Sequence, residues 1–177
     1  MSPLREICAI QTGPRTQRRS IKRMKSNNID NTTTNYGKAA RCELDTRADT
    51  TCAGINCQPI YYTGQHCKAY GFHSDLTPIY NVPIATVAMA WSNPHTGESY
   101  IIIINKALYF GDGMDHSLVN PNQLRAFGIE VYDNPYDTDP NRLMGIMLND
   151  CKKLPFWSDG STIYFNTWYP TGEEMNT

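Results

Sequence analysis

From Ala40 onward the chain is written as short β-branched and aromatic runs broken by Gly, Pro, Asn and Asp, and that spacing constrains the fold more than any other feature. Pro59–Tyr62, Ile84–Trp91 and Tyr100–Ile104 read as strands, because such side chains fit a pleated, half-buried surface. Between the last two lies Ser92–Ser99, a cluster of turn formers that predicts a reversal and a long hairpin over Ile84–Ile104. Ile101–Ile104 shows no polar alternation and predicts a strand buried on both faces. Ile129–Tyr132 and Ser161–Tyr169 supply further strands, separated by a polar loop over Asp133–Asn141. Asn120–Gly128 predicts one helix of about two turns, with a capping Asn, Pro at the first helical position, apolar Leu124 and Phe127, and a terminating Gly. With no βαβ alternation and no internal repeat, the expected class is all-β, a barrel or sandwich with a single short helix.

At 177 residues the chain accommodates one domain with a single core plus a tail. Residues 1–41 hold nine Lys or Arg against Glu6 and Asp30, whereas residues 42–177 hold seven against fifteen acids. The basic segment, with Arg15, Arg18, Arg19, Lys22, Arg23 and Lys25, has too few large apolar side chains to offset its ordering entropy. The expected organisation is therefore a disordered basic arm over 1–38, a β domain over 39–169 and a polar tail over 170–177. Residues 15–25 could attract nucleic acid through phosphate contacts. No window reaches the ~18 consecutive apolar residues of a membrane helix, and no secretory signal is apparent, so an intracellular, cytoplasmic protein is expected. Cys8, Cys42, Cys52, Cys57, Cys67 and Cys151 are then expected as free thiols.

The segment Glu43-Leu44-Asp45-Thr46-Arg47-Ala48-Asp49 brings a strand-like entry to an Asp-Thr pair, followed by Ala-Asp. Some forty residues on comes the predicted hairpin, then Lys106-Ala107-Leu108-Tyr109-Phe110, then Asn120-Pro121-Asn122-Gln123-Leu124 and Gly128. In this order the segments resemble the active-site turn, Leu-Tyr strand and Gln-Leu helix of retropepsin-like aspartic proteases from copia-type retrotransposon polyproteins. The likeness spans about Leu44 to Val131. It implies a closed acid-protease barrel and cleavage of a polyprotein by a homodimer, with peptide as substrate and no metal or organic cofactor. Asp45 would be the catalytic carboxylate and Thr46 its brace. Arg47, Ala48 and Asp49 would meet substrate, and the turn containing Asn93, His95, Thr96 and Gly97 would close over it as a flap. Aspartic proteolysis needs two carboxylates sharing one proton. Asp137-Thr138 and Asp159-Gly160 lack a preceding apolar strand, so the second Asp45 would come from another subunit.

Arg47 stands where the family has Gly, a residue that permits close backbone approach. The alternative is thus an inactive dimerisation or assembly domain of a retroelement polyprotein, in contact with nucleic acid through its arm. A second alternative is structural zinc, for which Cys52, Cys57, Cys67, His66 and His73 offer ligands, though without a Cys-x-x-Cys pair. His66, His73, His95 and His116 are expected at solvated turns, and Tyr61, Tyr62, Tyr109 and Tyr164 in the core or at its rim.

Overall fold

The computed structural model describes residues 5–11, 20–21, 39–71, 73, 75–148 and 152–176. The strands, in chain order, are β1 Arg5–Gln11, β2 Ser20–Ile21, β3 Ala39–Leu44, β4 Cys52–Ala53, β5 Gln58–Gly71, β6 Ile79–Ser92, β7 Ser99–Tyr109, β8 Ser117–Val119, β9 Val131–Tyr132, β10 Gly145–Leu148, β11 Lys152–Pro155, β12 Trp157–Ser158 and β13 Ile163–Trp168. Helix α1 is Pro121–Ala126 and α2 is Gly172–Met175, with 3-10 turns at Gly111–Gly113 and Pro140–Arg142. The described residues are therefore mostly β, as the punctuated strand pattern predicts.

The predicted hairpin forms: β6 and β7 pair antiparallel from Ile84–Leu108 to Ser92–Ser99. Ile101, Ile102 and Ile104 are all buried, which explains the missing alternation. Sequence reading places a strand only at Pro59–Tyr62, whereas β5 continues through a polar stretch to Gly71 and pairs with β6 as far as Ala69–Ile79. Its burial is low over most of that length, so no apolar period marks it. Tyr61 and Tyr62 are exposed there, not in the core.

Around the Asp45 turn the sheet has an interleaved order. β8 lies between two strands that are consecutive in sequence, parallel to β3 through Leu44–Val119 and antiparallel to β4 through Cys52–Leu118. β4 in turn runs parallel to β7 through Cys52–Leu108, and β3 pairs antiparallel with β13. Because β6 pairs with β7 and also meets β13 at Trp168–Ala90, the pairings run round a circuit of β7, β4, β8, β3, β13 and β6. β9, β10 and β11 form a separate small sheet.

The core is apolar and closely filled: Val87, Met89, Ile104, Leu108, Val119 and Leu124 are at most 1% exposed. Each such side chain contributes roughly 1.5–3 kcal/mol relative to exposure. A polar network crosses this core. Ser117 Oγ donates to Asn56 Oδ1 (2.6 Å), Asn56 Nδ2 donates to Thr167 Oγ1 (2.5 Å), and Gly54 N donates to Ser117 Oγ (2.9 Å). It ties the β4–β5 turn to β8 and β13 with its groups satisfied. Gly54 is obligatory by close approach, since a Cβ there would collide with the carbonyl oxygens of His116 and Met114.

Both chain ends carry described elements. Within the basic arm, β1 pairs parallel with β7 from Arg5–Tyr100 to Gln11–Asn105, and Ser20–Ile21 pairs with Tyr70–Gly71. β4 occupies only Leu108 and Tyr109 on that side of β7, which leaves a long edge able to accept a strand. The rest of the arm lies outside the described residues. The polar tail contains α2, closed by a capping box between Thr171 and Glu174, and Trp168 Nε1 donates to Glu174 (3.2 Å). Among the described residues no helix is long and apolar enough to cross a membrane.

Candidate active site

Asp45 stands one residue beyond the last rung of β3. Its amide donates to Val119 O (3.0 Å), fixing the chain against β8, and its Oδ1 accepts from Arg47 N (2.8 Å). That second bond is the local Asp turn by which a carboxylate holds the backbone two residues on. Thr46, Arg47 and Asp49 are exposed, whereas Ala48, Thr50 and Thr51 are buried. Asp45 lines an open cavity of about 310 Å³ together with Glu43, Thr46, Arg47, Asp133 and Thr162, among others.

The Arg47 backbone is ordinary. The non-glycine residues with left-handed φ among those described are Asn81 and Lys106. A Gly at position 47 is therefore not demanded by backbone conformation, and Arg is accommodated there without strain. Arg47 brings a long side chain into the cavity lining beside Asp45.

Helix α1 supports the turn from below. Asn120 caps the helix through Oδ1, which accepts from Asn122 N (2.8 Å) and Gln123 N (3.3 Å), while its Nδ2 donates to Ala48 O. Gln123 Oε1 accepts from Thr51 N (3.1 Å) and Thr51 Oγ1 (3.3 Å), and its Nε2 donates to Thr50 Oγ1 (3.2 Å). The sequence marks Asn120 as a cap and Gln123 as part of a helix motif. It gives no sign that both side chains reach a segment some seventy residues earlier. Ala48, expected to line the cleft, is instead 1% exposed and belongs to this support.

Two other acids, Glu43 and Asp133, line the cavity. Asp133 accepts from Arg125 (2.6 Å), and Arg125 also donates to Val131 O. Glu43 lies 3.5 Å from His116, whose Nε2 is buried without a hydrogen-bond partner. His116 is thus not a solvated turn residue: the loop before β8 packs down on Gly54 and encloses it. Asp137 accepts from Asp139 N (3.0 Å), and Asp159 pairs with Arg41 (2.5 Å). Neither of these two lines the cavity, so one Asp-Thr turn of this chain faces it.

The turn carrying Asn93, His95, Thr96 and Gly97 is not brought to Asp45. Its backbone is closed on itself, with Asn93 Oδ1 accepting from His95 N (2.9 Å) and Gly97 N donating to Asn93 O (2.8 Å). It caps the Ser92–Ser99 end of the β6–β7 ladder, nine residues of β7 from the Leu108 contact with β4, or about 30 Å along the strand. The β5–β6 hairpin is the one whose outer part, Ile79–Pro83 against His66–Ala69, continues past the end of β7. It carries exposed Tyr61, Tyr62, Ile79 and Tyr80. Tyr62 meets Tyr109 edge to face at 6.1 Å, and the Tyr109 hydroxyl is pushed up to about 12 by burial and then by neighbouring Tyr62 and Tyr169.

Cys57 is 0% exposed and within 3.2 Å of Ser117 Oγ, Cys52 packs in a separate apolar cluster, and His66 and His73 are exposed. Among the described residues no group of three His, Cys, Asp or Glu is placed to hold a metal ion. Cys42 and Cys57 are free thiols.

No family model matches the chain, and neither a curated protein nor a solved structure matches it.

Proposed function

We propose that this chain is one half of an aspartic endopeptidase of the retropepsin class, acting on a retrotransposon polyprotein as a homodimer. The observation that carries the reading is Asp45. It sits at the end of β3, hydrogen-bonded to the interleaved strand β8, lining an open cavity that receives one Asp-Thr turn from the chain. Glu43 and Asp133 share that lining but neither begins an Asp-Thr turn, so the reading assigns the second catalytic carboxylate to Asp45 of another subunit across a two-fold axis. The circuit of strand pairings favours a barrel architecture for the same reading.

In that mechanism the two Asp45 carboxylates hold a water and share a proton. One accepts a proton from the water as it attacks the peptide carbonyl, and the other protonates the carbonyl oxygen. Thr46 braces the pair, and Arg47 stands in the cavity lining where substrate would pass. A second reading, a dimeric assembly domain without catalysis, draws support from Arg47 in the cavity lining. Nucleic-acid contact through residues 15–25 rests on the charge of the arm alone.

The deciding measurement is cleavage of flanking polyprotein segments between pH 4 and 7 by the parent, Asp45→Asn and Arg47→Gly. Cleavage by the parent that Asp45→Asn abolishes is expected. Cleavage only by Arg47→Gly identifies an enzyme silenced at its own turn, and none by any form selects the assembly domain.

A further inference from the structure

We infer that Gln123 is a positioning residue that sets where Asp45 stands in the cavity, an inference that rests on the protease reading. Between Leu44, the last residue of β3, and Cys52, the first of β4, seven residues leave the sheet and return. At the front of this span Asp45 is held by Val119 O and by its own bond from Arg47 N. The middle is exposed at Thr46, Arg47 and Asp49. At the back, Gln123 uses both ends of its amide, accepting from the Thr51 amide and hydroxyl and donating to Thr50, while Asn120 holds the Ala48 carbonyl.

Arg47 N therefore hangs between a fixed strand end and a segment whose place is set by α1, and Arg47 N is the donor that orients the Asp45 carboxylate. Release of the back of the span lets that donor move, and misplacement of a reacting group by about 1 Å can cost on the order of 100-fold in rate. Gln123 is also separable from folding. The helix is capped by Asn120 Oδ1 and anchored by fully buried Leu124, neither of which needs the Gln123 side chain. Thr50 and Thr51 are buried, so their polar atoms depend on that amide more than on solvent.

The test compares the full chain with Gln123→Ala and Gln123→Glu by backbone amide exchange over residues 45–51 and by kcat and KM on the polyprotein segment. In Gln123→Ala, protection at the Thr51 amide is expected to fall and kcat to drop about 10- to 100-fold, with KM within about twofold of the parent. Glu retains an acceptor for the Thr51 amide and hydroxyl, so Gln123→Glu is expected to recover the protection and most of kcat. Unchanged protection in Gln123→Ala, or lost protection with parental kcat, overturns the positioning role. Absence of cleavage by both the parent and Arg47→Gly sinks the protease reading and the positioning role with it. Exchange at Thr51 still reports whether the clamp exists, so the two failures are distinguishable.

Discussion

Single residues in this chain take their character from neighbours far away in sequence. Cys57 is the clearest case: burial pushes its thiol up to about 12, partly offset by hydrogen bonding with Ser117, and burial likewise raises Cys42. A thiol whose folded pKa is raised contributes stability that is fully present below its unfolded pKa, near 9, and is lost as pH rises toward the folded value. Stability should thus fall between about pH 9 and 10 at up to roughly 1.4 kcal/mol per pH unit for each thiol, before tyrosines enter. Urea midpoints measured from pH 8 to 10 should show a shallower decline in Cys57→Ala than in the parent. Equal slopes would rule out a Cys57 contribution. Nothing in the sequence around Cys57 announces this, because the side chain it meets, Ser117 of β8, lies sixty residues on. Asp45 differs: the Asp-Thr pair after a strand-like entry is visible in the text, and the Asp turn it makes is local.

At the scale of elements, legibility follows how local the forces are. Helix α1 is written out by its cap, its Pro and its terminating Gly, and it forms over Pro121–Ala126 with Gly128 at φ 78°. Leu124 is its anchor at 0% exposure. Leu124→Ala should destabilise the chain by about 2–5 kcal/mol in chemical denaturation, the range for a buried leucine that leaves a cavity. A loss below about 1 kcal/mol would mean that α1 is not locked to the core. By contrast β5 is long but mostly exposed and β1 lies in a basic arm, so neither shows an apolar period. Both exist because a neighbouring strand offers unpaired backbone groups, a tertiary condition. α2 was legible and missed: Thr171 and Glu174 form a capping box that short polar tails readily conceal.

For the whole molecule, the proposed chemistry belongs to a pair of chains. Specific activity per chain should fall on dilution below the dimer dissociation constant. Mixing the parent with excess Asp45→Asn should suppress cleavage further than dilution alone, because mixed pairs carry one catalytic carboxylate. Activity proportional to parent concentration in both experiments would place the complete site within one chain. The all-β class, the β6–β7 hairpin, helix α1 and the Asp45 turn are legible in the amino-acid order, because strand propensity, turn chemistry and capping act over a few residues. Long-range packing sets the insertion of β8 between β3 and β4 and the reach of Asn120 and Gln123 to the turn. It alone also put Arg47 at an unstrained φ and residues 93–97 far along the ladder from Asp45. Those outcomes depend on which strand edges meet, and strand pairing joins segments through backbone groups that every residue carries alike.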